Sequence, residues 1–88
     1  METPPPRPGR PNMMRARKAV AAQLRSDRAA REITQAQLAE NAGLAVNTIR
    51  RIENEERAIT LDQLVAICDA LGVSFTKFLD EAQSRMSE

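Results

Sequence analysis

Gln35-Ala-Gln-Leu-Ala-Glu-Asn-Ala-Gly-Leu-Ala-Val-Asn-Thr-Ile-Arg-Arg-Ile-Glu-Asn54 decides the fold of this chain. Apolar or small residues fall at Leu38, Ala39, Ala42, Leu44, Ile49 and Ile52, with one glycine, Gly43, between the two halves. That pattern suits two short helices crossing at a steep angle. Ala39 lets the second helix approach, Gly43 tolerates a left-handed turn, and Leu38, Ile49 and Ile52 close the crossing from inside. Val46, Asn47, Arg50 and Arg51 are left on the outside of the second helix. The outer face is therefore polar and basic.

The rest of the chain narrows the class. Its 88 residues are enough for one domain with a modest core. Hydrophobic residues make up 42%, an ordinary share for a folded protein, but Phe75 and Phe78 are the only aromatics. One cysteine and no histidine exclude a disulfide framework, a Cys/His zinc site and histidine-based acid–base catalysis. No nucleophile–base pair or metal cluster is visible, so neither an enzyme nor a cofactor is expected. No segment has the length of a membrane span, and the proline-rich start lacks the apolar core of a leader. A cytoplasmic protein is the expectation.

Charge is unevenly distributed. Residues 1–31 hold eight basic side chains against two acidic ones, and residues 32–88 hold five against ten. A basic arm ahead of a more acidic globular part points to a polyanion partner, with a solubilising tail as the plainer alternative. Five prolines in residues 1–11 oppose helix formation, so residues 1–12 read as a flexible arm rather than a ligand for a proline-binding domain.

Beyond the arm the pattern predicts five helices and no strand. Asn12 is the expected cap of the first helix, which runs to about Ala30 with Ala16, Val20 and Leu24 inward. Thr34 and Gln37 form a capping-box signature for the second helix, and the third covers about Val46–Asn54. Thr60 and Gln63 repeat that signature for a fourth helix, with Leu61, Leu64, Val65, Cys68 and Leu71 on its inner face and Leu71-Gly72 as its stop. Ser74 caps a fifth helix carrying Phe75, Phe78, Leu79, Ala82 and Met86. The expected division is a 1–12 arm, a 13–80 domain, and an 81–88 helix end or tail.

Thr34-Gln35-x-x-Leu38-Ala39, Gly43, Thr48-Ile49-x-x-Ile52-Glu53-Asn54 and Leu71-Gly72-Val73-Ser74 stand in an order and spacing that resemble the Cro/repressor-type helix-turn-helix family. The resemblance covers about residues 20–80. It implies an all-α, compact five-helix bundle of the phage-repressor DNA-binding type whose third helix reads the major groove of double-stranded DNA. It places Val46, Asn47, Arg50 and Arg51 against bases, where arginine can fork onto guanine, asparagine can bond adenine and valine can touch a thymine methyl. Gln35, Thr48, Asn54 and Arg57 fall against phosphates. Arg7, Arg10, Arg15, Arg17 and Lys18 add salt-dependent contacts from the arm. An ion pair between Arg28 and Glu53 is implied as the lock between the first and third helices.

The resemblance also implies a bacterial or phage-encoded, nucleoid-associated regulator, most simply a dimeric repressor. RNA polymerase is a further expected contact, and a toxin-like protein is the partner if the chain is instead an antitoxin-like interaction module. Leu79, Ala82 and Met86 are the candidate dimer surface, with a frayed tail as the alternative. Four departures from the family pattern stand out. Ala45 replaces the usual hydroxyl cap of the third helix, Glu32 replaces a glycine, and Asp27 stands where leucine is common. Glu55-Glu56-Arg57-Ala58-Ile59 replaces a loop with glycine and proline, and its carboxylates are expected to turn away or to pair with Arg57. Cys68, among apolar neighbours at helical spacing, reads as a small buried hydrophobe rather than a redox sensor.

Overall fold

The computed structural model describes residues 10–87. Five helices follow one another: α1 (Arg10–Ala30), α2 (Gln35–Ala42), α3 (Val46–Glu53), α4 (Leu61–Leu71) and α5 (Phe75–Met86). Among the described residues there is no strand. α1 starts earlier than its prolines suggest, so Asn12 lies inside the helix rather than capping it. Pro11 is tolerated there because the first-turn amides have no partner in the helix. α1 therefore runs through the expected 12/13 boundary, and α5 runs through the one at 80/81.

Starts and stops follow local chemistry. Thr34 and Thr60 each accept from the amide three residues on, while Gln37 and Gln63 reach back to the cap amides, so both capping boxes form. Ser74 caps α5 through the Lys77 amide. Ala45 has the extended backbone of a cap (φ −70°, ψ 141°) but supplies no side-chain acceptor to α3.

The first four helices end in the same way. The chain turns left-handed at Glu32 (φ 54°), Gly43 (φ 70°), Glu55 (φ 63°) and Gly72 (φ 72°). At each end the following amide reaches back five residues, Ile33 to Arg28, Leu44 to Ala39, Glu56 to Arg51 and Val73 to Cys68, at 2.8–3.3 Å. This is the Schellman arrangement. Two of the departures from the family pattern thus place glutamate where the backbone favours glycine.

The core joins all five helices. Leu24, Leu38, Ala39, Ile49, Ile52, Leu64, Ile67, Cys68, Leu71 and Phe78 are buried together, with Val20 and Phe75 half-buried against them. Two of the expected α4 positions are corrected. Leu61 (66% exposed) and Val65 face out and Ile67 faces in, because the inward stripe of α4 runs through Leu64, Ile67, Cys68 and Leu71. In α1 the buried positions are Ala19, Ala21, Gln23 and Leu24, while Ala16 and Val20 are half-buried.

Gln23 was not anticipated. It is 2% exposed, donates to Glu81 and accepts from Arg85, both at 2.8 Å, which ties α1 to α5. Burial pushes the Cys68 thiol up to about 11, with the charges of Asp27 and Asp69 acting in the same direction. That is the environment of an inert thiol.

Candidate nucleic-acid interface

α3 divides cleanly into two faces. Ile49, Ile52 and Glu53 are buried; Val46, Asn47 and Arg50 are exposed, and Arg51 is half-buried. The four expected readers thus lie on the outer side of one eight-residue helix. Asn47 Oδ1 accepts from Arg50 Nε at 3.1 Å and also from Nη2, so two of them hold one another.

The inner end of α3 is anchored through Glu53, a carboxylate only 2% exposed. Arg28 donates to both its oxygens, Nε to Oε2 at 2.8 Å and Nη2 to Oε1 at 3.0 Å. Gln35 Nε2 donates to Oε1 at 3.0 Å. The hydrogen bond to Glu53 raises the Arg28 pKa above its ordinary value, against a smaller lowering by burial and with a further contribution from the Glu53 charge. Breaking such a buried pair from one side leaves an uncompensated charge, which costs about 3–5 kcal/mol. The pair therefore fixes α3 against α1 and α2.

Two further arginines were missed as anchors. Arg25 Nη1 donates to the Glu53 carbonyl, closing the end of α3, and Arg31 Nε donates to the Leu71 carbonyl at 2.6 Å, closing the end of α4. Arg28 Nη1 adds a bond to the Ile33 carbonyl at 2.9 Å. The signal lay in their spacing. Arginines three residues apart share a helix face, and cations favour the carbonyl ends of helices. Three of the eight cations counted toward a basic arm are thus internal tethers.

The expected phosphate contacts are dispersed. Gln35 is half-buried with its amide already bonded to Glu53, and Thr48 is half-buried on α3. Asn54 is exposed just past α3. Arg57 is half-buried beside Arg17, Val20 and Ile59 around a cavity of about 240 Å³. Arg15 and Lys18 line a different open groove with Arg85 and Glu55. Arg15, Arg17 and Lys18 therefore belong to α1 and not to an arm. Arg7 and the Arg10 side chain lie outside what the structure describes.

Glu56 corrects a pairing. Its carboxylate stands 3.9 Å from Arg50 Nη1 and 3.8 Å from Arg51 Nε, not against Arg57, and Asn54 Nδ2 donates to it at 3.4 Å. The candidate dimer surface is corrected too. Ala82 is 4% exposed and belongs to the core, which leaves Leu79 exposed and Met86 half-buried on α5. Among the described residues, no group of side chains could hold a metal ion and no helix is long and apolar enough to cross a membrane.

Two short helices crossing over a buried Leu38–Ile49 core, with a basic outer face on the second, define a helix-turn-helix protein. Comparison with known proteins gives the family. Residues 24–78 match the family model described as Helix-turn-helix, and the chain belongs to that family in its Cro/repressor (XRE) type, whose members are DNA-binding transcriptional regulators.

Among solved structures, the clp gene regulator ClgR from Corynebacterium glutamicum is 32% identical with a TM-score of 0.78, over 82% of this chain and 77% of that one. The restriction-modification controller protein C.Esp1396I is 25% identical with a TM-score of 0.78, over 83% of this chain and 94% of its own. The same controller, as a tetramer on its natural 35-base-pair operator, gives a TM-score of 0.77 at 25% identity, over 83% of this chain and 96% of its own. No curated protein matches the chain in sequence.

Proposed function

We propose that this transcriptional regulator binds a two-fold operator as a homodimer, with α3 of each protomer in the major groove. The carrying observation is the contrast within α3. Val46, Asn47, Arg50 and Arg51 are presented outward while Glu53, at the end of the same helix, is clamped by Arg25, Arg28 and Gln35. A reading helix needs both features, because a base contact discriminates only if the helix that carries it is held in register.

Arg50 supplies the bidentate chemistry for guanine, Asn47 can donate from Nδ2 to adenine N7 while its Oδ1 holds Arg50, and Val46 supplies an apolar contact for a thymine methyl. Thr48, Asn54, Arg57 and Gln35 are the phosphate contacts of this reading. Arg17 is the α1 cation placed beside Arg57. Dimerisation falls to α5 through Leu79, with Leu61 and Val65 of α4 as further exposed apolar side chains. The operator complex of C.Esp1396I supports the reading by likeness. Occupancy of promoter DNA would then repress by excluding polymerase.

The test is selection of bound sequences from random duplexes, followed by gel shifts. A palindromic consensus with half-sites about one helical turn apart is expected. Arg50→Ala should lose about 1–3 kcal/mol of discrimination at one base position per half-site. An unchanged preference profile in that variant would overturn the assignment of the reading face.

A further inference from the structure

Glu56 is an anion placed at the cationic end of a helix assigned to DNA. Its backbone is fixed, since the Glu56 amide donates to the Arg51 carbonyl at 2.8 Å as the last bond of the turn that ends α3. Its carboxylate meets Arg50, Arg51 and the Asn54 amide. All four side chains are at least partly open to solvent. Exposed pairs at 3.8–3.9 Å contribute little to folding, so stability is a poor reason for this arrangement.

We propose that Glu56 is a specificity-determining residue which acts through Arg50 and Arg51. The inference rests on the reading that α3 faces DNA. Non-specific binding draws on cations free to swing to any nearby phosphate, whereas specific binding needs them aimed at base edges. Glu56 and Asn47 hold Arg50 from two sides and lay its guanidinium along the outer face of α3. From there the arginine reaches bases without leaving its partners. A move to the phosphate backbone breaks the contact with Glu56 and leaves its carboxylate unpaired beside the polyanion. The penalty therefore falls on random DNA and is small on the operator.

The experiment compares the full chain with Glu56→Gln on a selected operator duplex and on a random duplex of equal length, across a salt series. Asp80→Asn, an exposed change on α5, makes the same alteration in net charge elsewhere. Glu56→Gln should bind random duplex about threefold to tenfold more tightly and the operator within about twofold of the parent. Its salt slope on random duplex should steepen by about one, the value of one added phosphate contact.

Equal gains on both duplexes, a gain matched by Asp80→Asn, or no change on either overturns the proposal. Arg50→Ala in the same assay separates it from the wider reading. If that variant loses sequence preference while Glu56→Gln keeps the parent's ratio, only the role of Glu56 fails. If Arg50→Ala keeps its preference, the reading face itself is wrong.

Discussion

Glu32 and Glu55 carry the clearest residue-scale cost in the molecule. Each has a positive φ, where an L side chain crowds its own backbone by roughly 1–2 kcal/mol, and each ends a helix with the hydrogen bonds that glycine makes at Gly43 and Gly72. Part of the relief on changing them to glycine is offset by the greater freedom of glycine in the unfolded chain. Glu32→Gly and Glu55→Gly should each still stabilise by about 0.5–1 kcal/mol, read as a rise of a few degrees in thermal midpoint. No rise in either would mean that these carboxylates make compensating contacts. The unusual glutamates were visible in the sequence; their conformation was not, because sequence shows which residue departs from a pattern and not whether the backbone departs with it.

α3 is the element on which function turns, and its two ends are built differently. Its last residue is bound by Arg25, Arg28 and Gln35, while its first turn has no side-chain acceptor at Ala45. Ala45 already has a capping backbone, so Ala45→Ser needs no rearrangement and should stabilise by about 0.5–2 kcal/mol in chemical denaturation. A neutral result would show that the first-turn amides are satisfied without it.

Legibility also divides along the elements. Both capping boxes and the Gly43 and Gly72 stops could be read directly, because they are local hydrogen-bond chemistry spanning no more than five residues. The inner face of α4 was read partly wrong. Leu61 and Val65 share a helical stripe with Leu64 and Cys68, and only the neighbouring helices decide which edge of that stripe meets the core. Ala82 was misplaced for the same reason. Gln23, Arg25 and Arg31 escaped because their partners, up to 62 residues away, exist only after packing.

At the scale of the whole molecule, the charge asymmetry noted in the sequence changes meaning. Arg25, Arg28 and Arg31 bond to Glu53, Ile33 and Leu71, so they hold the bundle together and are not an extension of a basic arm. The cations of α1 left for a polyanion lie in its first half, with Arg15 and Lys18 exposed and Arg17 half-buried. From Ala19 onward the same helix carries Ala21, Gln23 and Leu24 in the interior. One unbroken helix therefore belongs to two regimes of motion. In amide hydrogen exchange, protons before about Lys18 should be lost by local fraying, while those around Leu24 should wait for the opening of the whole domain. A uniform exchange rate along α1 would refute this division. The boundary between fast and slow protons would fall where the backbone shows no break at all, because slow exchange is conferred by what the helix is packed against and not by the helix itself.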